Sequence, residues 1–173
     1  MTDYLSLPLG QRAPSVVAAV IEIPSRTRNK IEYDERLGVF RLDRTLLSPV
    51  AYPFEYGFFP STRGGDGDTL DVMVLAAEPL FPGCVVDVRP VACLGLDDQA
   101  GEDTKVLAVV ADDPRFEAIQ DLKSVPALRR REIEEFFKTY TVLEGKKKAL
   151  RGWKNRAEAQ RRLRQAANRF FEG

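Results

Sequence analysis

Histidine is absent from all 173 residues, and no other feature of the composition removes as much chemistry. Without imidazole there is no Ser-His-Asp or Cys-His nucleophile pair, no HExxH zinc site and no histidine acid-base step. Cysteine is nearly as scarce. Cys84 and Cys93 are the only two, each in an apolar run and without CxxC spacing, so they read as buried reduced thiols. Net charge is missing as well: 26 Lys and Arg balance 26 Asp and Glu, which leaves no global field to attract nucleic acid. No uncharged apolar run approaches the ~18 residues needed to span a bilayer. The N-terminus lacks a basic stretch followed by an apolar core, so the expectation is a cytoplasmic chain with no export and no membrane anchor. Any catalysis must run on carboxylates, cations, hydroxyls or metals.

What is present fits one packed unit spanning residues 1–173, with 44% hydrophobic and 30% charged residues. Val16 to Ile23 is a β-branched, apolar run broken only by Glu22 and stopped by Pro24. Lys30–Tyr33 and Val39–Arg44 read as two short strands around Gly38. The segment Pro49–Pro60, rich in aromatics and proline, reads as an ordered loop. Leu70–Leu75, Val85–Leu96 and Val106–Ala111 are further strand candidates, the middle one bulged or near an edge at Pro90. The acidic stretch Asp97–Lys105 reads as a hairpin loop. Helical spacing begins near Ser124 and places Ile133, Phe136, Phe137, Tyr140 and Leu143 on one face. A second helix follows Asn155, which forms a capping-box pattern with Glu158. Strands first and helices last predict an α+β fold, with about five to seven short strands curled into a small barrel and two main C-terminal helices outside.

The chemistry concentrates in Asp66-Gly67-Asp68-Thr69-Leu70-Asp71, three carboxylates in six residues ahead of an apolar strand. Crowded carboxylates repel unless a cation neutralises them. Hard divalent ions prefer such oxygen donors, with Mg²⁺ keeping several waters. An EF-hand is excluded, because its sixth position would be Asp71 and its twelfth Ala77. A solvated acidic turn is the alternative for this segment alone. Asp98, Asp103 and Glu22 shift the balance, because together with it they suggest a multi-metal acidic site, and all-carboxylate metals usually serve a phosphate-bearing substrate. Lys30, Arg44 and Lys105 recur beside acidic residues and could neutralise a transferring phosphoryl group. Tyr52, Tyr56 and Tyr140 are amphipathic aromatics whose default role is packing.

These motifs resemble, in order and over nearly the whole chain, the soluble family I inorganic pyrophosphatases of bacterial type. The resemblance rests on Ile21-Glu22-Ile23-Pro24, Asn29-Lys30-Ile31-Glu32-Tyr33, Leu42-Asp43-Arg44, Tyr52-Pro53, Tyr56-Gly57-Phe58, Asp66 to Asp71, Gly101 to Lys105 and Phe136 to Tyr140. It implies a five-stranded OB-like closed barrel with helices outside, a homohexamer, and pyrophosphate hydrolysis to two phosphates. It implies several Mg²⁺ per site, with Mn²⁺ or Zn²⁺ as possible substitutes. Asp66, Asp71 and Asp103 would bind the activating ions, and Asp98, Glu22 and Glu32 those arriving with substrate. Asp68 would help deprotonate a metal-bridging water. Lys30, Arg44, Tyr56, Lys105 and Tyr140 would bind phosphate, with Tyr52 as support.

Three positions depart from the family pattern: Thr69 for Pro or Glu, Gln99 for an acidic residue, and Thr141 for a phosphate-binding lysine. Lys147 or Lys148 reaching into the site would compensate for the last. Otherwise one phosphate is held more weakly, and Thr141→Lys should raise turnover or affinity. Two other readings stand beside this one, a metal-dependent hydrolase of another phosphoanhydride and a non-enzymatic OB-like module binding single-stranded nucleic acid through the loop aromatics and the basic C-terminal helix. The acidic groove argues against the second, and no base pocket is visible for the first.

Overall fold

A computed structural model describes residues 2–98 and 101–172, with the backbone but not the side chain of Asp98. Gln99 and the Asp98 side chain therefore lie outside the described residues. Among those described, the chain forms eight strands and two α-helices. The strands are β1 (Val17–Ile23), β2 (Asn29–Asp34), β3 (Val39–Thr45), β4 (Glu55–Phe59), β5 (Leu70–Leu75), β6 (Val85–Asp98), β7 (Gly101–Val110) and β8 (Ala149–Asn155). The helices are α1 (Ala127–Thr139) and α2 (Arg156–Glu172).

The main sheet runs β1-β4-β5-β7-β6-β8, and β1 also pairs with β6. Five strands therefore form a hydrogen-bonded ring, with β8 added along β6. The ring is antiparallel except where β5 and β7 run parallel, Val72 opposite Val106. Pro90 lies at a register shift in β6, as its missing N–H requires. β2 and β3 make a separate two-stranded hairpin.

Alternating side chains give this sheet two apolar layers. Met73, Leu75, Leu94, Leu107 and Val109 join the aromatic residues and Ile133, Phe136 and Phe137 of α1. Val72, Val74, Val106, Ala108 and Cys93 pack instead with Ala159, Leu163 and Ala166 of α2. The Asn155 side chain accepts from the Glu158 N–H at 3.1 Å and caps α2.

Three expectations need correction, and one strand is an addition. The Pro49–Pro60 segment is not all loop, since Glu55–Phe59 is β4, a ring strand. Its prolines stop short of the strand. Gly57 makes the pairing possible, because a Cβ there would lie 1.9 Å from the Val20 carbonyl oxygen. The acidic stretch is not a hairpin loop either: Leu96 pairs with Asp103 and Asp97 with Glu102, so the strands continue almost to the turn. Helix α1 ends at Thr139, and Leu143 falls in the following 3₁₀ turn, where it is exposed. β8 was not anticipated, because its Ala-Leu-Arg-Gly-Trp-Lys-Asn sequence lacks a clean alternation and Gly152 sits at φ 95°.

Candidate active site

The parallel pairing of β5 and β7 creates the centre of the site. Asp71 immediately precedes Val72 and Lys105 immediately precedes Val106, so the two charged side chains enter side by side at the sheet end. Asp103, two residues before Lys105, projects from the same face of β7. Tyr56 lies opposite Met73 on β4, diagonal to Asp71. These positions converge: the Tyr56 hydroxyl donates to Asp71 Oδ2 at 2.7 Å, and the Lys105 ammonium donates to the same oxygen. Lys105 Nζ also lies 2.7 Å from Asp103 Oδ2 and 5.7 Å from the Tyr56 ring centroid.

Only 7% of the Lys105 side chain is exposed. Burial alone would pull its pKa down, yet Asp71 and Asp103 outweigh that and raise it. Lys105 is therefore a fixed cation between two carboxylates. The Tyr56 hydroxyl is pushed well up by burial and by the neighbouring Asp71 charge, so it remains a proton donor.

A second cluster lies on the β2–β3 hairpin. Lys30 pairs with Glu32 and reaches Asp43 at 3.2 Å, and Arg44 Nη1 donates to the same Asp43 oxygen at 2.5 Å. Arg44 also donates to Glu144 through Nε at 3.0 Å and Nη2 at 2.7 Å, a bidentate pair across a hundred residues of chain. The hydrogen bonds to Glu144 lead the causes that raise the Arg44 pKa. Burial alone would lower Lys30, but its bonds to Glu32 and Asp43 raise it. Glu22 faces this hairpin from β1, where its Oε1 accepts from the Tyr33 N–H at 2.7 Å. Burial lifts its pKa to about 7 despite that bond, with Asp71 and Glu32 adding to the rise.

Asp66 and Asp68 occupy the exposed turn before β5, where Asp66 Oδ1 accepts from the Asp68 N–H at 3.1 Å and Gly67 adopts φ 96°. Tyr52 and Tyr140 meet in an aromatic group. Phe136 stacks on Tyr140 at 4.8 Å and lies 4.7 Å from Tyr52. Burial raises the Tyr52 pKa. The last turn of α1 thus fixes Tyr140 beside the loop that leads into β4.

The structure brings Tyr56, Asp71, Asp103 and Lys105 into direct contact, and separately Lys30, Glu32 and Arg44. Asp66 and Asp68 stand apart at the rim. Among the described residues no three acidic or thiol side chains converge closely enough to chelate an ion. The donors are nevertheless hard oxygens, and a cation already sits between two of them as the Lys105 ammonium, so the chemistry of the set suits a hard, oxygen-seeking cation. Reading the sequence set Arg44 beside Asp43 but missed its second partner, Glu144. Adjacency hinted at Asp43, whereas nothing local could have revealed Glu144.

Carboxylates, fixed cations and buried tyrosine hydroxyls around one sheet end form the class of site that handles phosphate esters or anhydrides. The comparisons with known proteins point to the same class of protein. The family model described as "Inorganic pyrophosphatase" matches residues 19–170. An inorganic pyrophosphatase of Thermus thermophilus is 46% identical over 173 residues, covering 98% of this chain and 99% of its own length. One of Methanosarcina acetivorans is 47% identical over 157 residues, covering 91% and 94%. The crystal structure of the inorganic pyrophosphatase from Thermus thermophilus superimposes with a TM-score of 0.96 at 45% identity, covering 99% of this chain and 100% of that one. The chain belongs to the inorganic pyrophosphatase family, the soluble family I type.

Proposed function

We propose that this protein hydrolyses inorganic pyrophosphate to two phosphates in a metal-dependent reaction with Mg²⁺ as the working ion. The observation that carries this reading is Lys105, a buried cation that shares its ammonium between Asp71 and Asp103 beside the Tyr56 hydroxyl, in a chain of this family. Asp66, Asp71 and Asp103 are the principal metal ligands, with Asp98, Glu22 and Glu32 completing sites for further ions. When bound, such ions would neutralise substrate charge and make a coordinated water more acidic.

The remaining work falls to the protein's own groups. Asp68 takes the proton of the attacking water, and its exposed turn gives that proton a path to solvent. Lys30, Arg44 and Lys105 hold the phosphate oxygens electrostatically, and Tyr56 and Tyr140 donate hydrogen bonds. Tyr52 braces Tyr140 through Phe136. No covalent enzyme intermediate is required, which suits a chain without histidine.

The ring of β1, β4, β5, β7 and β6 is read as a five-stranded OB-like closed barrel, and residues 1–173 as one domain. A cytoplasmic homohexamer is the assembly that goes with it, without a nucleic-acid partner. Among the described residues no helix is long and apolar enough to cross a membrane.

Phosphate release from pyrophosphate and from ATP, each with Mg²⁺ and with a chelator, tests the function. Release from pyrophosphate alone, lost with chelator, is expected. Faster release from ATP would favour a different phosphoanhydride, and no release from either by folded protein would overturn the enzyme reading.

A further inference from the structure

The loop after α1 answers the departure at Thr141. Thr141 is only 3% exposed, and its hydroxyl donates to the Lys146 carbonyl at 3.1 Å. The Lys146 N–H donates back to the Thr141 carbonyl, also at 3.1 Å. Two bonds between the same two residues close the loop, and Gly145 at φ 75° supplies the left-handed turn inside it. The chain that emerges is directed back over Tyr140.

Lys148 arrives there with its ammonium 5.7 Å from the Tyr140 ring centroid and 3.7 Å from Asp103 Oδ2. That carboxylate oxygen is the one Lys105 contacts at 2.7 Å. The Lys148 side chain is 15% exposed, whereas Lys146 and Lys147 are exposed residues. An ammonium is held in so covered a place only where charge or an aromatic face compensates for lost water, and Lys148 has both. It therefore stands beside two groups assigned to phosphate binding, Lys105 and Tyr140, and carries the charge sign that a phosphate requires.

We propose that Lys148 is a substrate-binding residue of this active site, contributing a cation to phosphate oxygens, and that Thr141 is the positioning residue whose loop clamp delivers it. The proposal rests on the pyrophosphatase reading of the same site. It gives the Thr141 departure a physical meaning: the cation comes from seven residues further along the chain, and the threonine is part of the device that brings it.

The test compares Lys148→Met, Lys148→Arg, Thr141→Val and the double variant Thr141→Val/Lys148→Met, with Lys123→Met as a same-charge control on the 3₁₀ turn Leu122–Ser124. KM and kcat for pyrophosphate and the inhibition constant for inorganic phosphate are measured in Mg²⁺, together with direct calorimetric binding of inorganic phosphate. Lys148→Met is expected to raise KM and weaken phosphate binding by about tenfold or more, the size of one charge-assisted contact, with kcat changed less. Lys148→Arg should restore most of the affinity. Thr141→Val should shift the same constants the same way by a smaller factor and add little to Lys148→Met, because both act through one ammonium. Wild-type KM and wild-type phosphate affinity in Lys148→Met would overturn the proposal, as would full additivity of the two changes. Calorimetry keeps the result separate from the function itself. A wild type that releases no phosphate would refute the pyrophosphatase reading, whereas equal phosphate affinity in wild type and Lys148→Met would refute the role of Lys148.

Discussion

The two halves of the site are built by different physics. The inner half, Tyr56, Asp71, Asp103 and Lys105, stands on ring strands, and its cation is buried. The outer half, Lys30, Glu32, Asp43 and Arg44, stands on a two-stranded hairpin and is tied together by partly exposed ion pairs. Desolvated charges interact strongly and punish the loss of a partner, whereas exposed pairs contribute little and exchange readily. The inner half is thus suited to hold a fixed arrangement of charge, and the outer half to release its internal partners in favour of an incoming phosphate.

The sharpest way to break this contrast is Lys105→Met. It strands two carboxylates beside a buried tyrosine and should cost about 3–5 kcal/mol of stability, read from denaturant unfolding, besides abolishing activity. A loss below about 1 kcal/mol would mean that the inner half is no more constrained than the outer.

Glu144→Gln comes next. It keeps the shape beside Arg44 but removes the charge that holds the guanidinium in place. Stability should change by no more than about 1 kcal/mol because the Arg44 side chain is one-third exposed, while KM for pyrophosphate rises about three- to tenfold. An unchanged KM would remove Glu144 from the account.

The smallest effect is expected far from the site, at Glu158. Its pKa is lowered to about 2, first by the hydrogen bond from Arg161 and then by Arg162. A depressed carboxylate contributes stability above its unfolded pKa and loses it as pH falls through the folded value. The deficit of Glu158→Gln, at most about 1 kcal/mol after solvent screening, should therefore be present above pH 4.5 and fade toward pH 2. A deficit independent of pH would show that it arises from packing.

Much of this was legible in the chain. β1, β5, β6 and β7 announce themselves as β-branched runs, and α2 by its cap and apolar stripe. β4 was hidden because Pro49, Pro53 and Pro60 surround a strand whose first residue, Glu55, is a buried carboxylate. β8 was hidden because it pairs only along one side, on β6, and carries Arg151 and Lys154 outward. The charged motifs identified which residues matter but not which ones touch. That Lys105 lies between Asp71 and Asp103 follows from a parallel register, and that Arg44 meets Glu144 follows from where α1 ends. Neither is a local property of sequence. Thr141, which by sequence resembles a lost cation, becomes a buried clamp once its hydroxyl is seen on the Lys146 carbonyl. Thr141→Lys should therefore lower affinity instead of raising it.

The central claim is that carboxylates at the head of β5 run the hydrolysis, with Asp68 as the proton acceptor. The direct measurement is steady-state turnover of pyrophosphate in Mg²⁺ by Asp68→Asn beside wild type, with folding checked by circular dichroism. The account predicts a loss of about 10²–10⁴ in kcat with the fold intact and substrate binding retained. Turnover equal to wild type from the folded variant would contradict it.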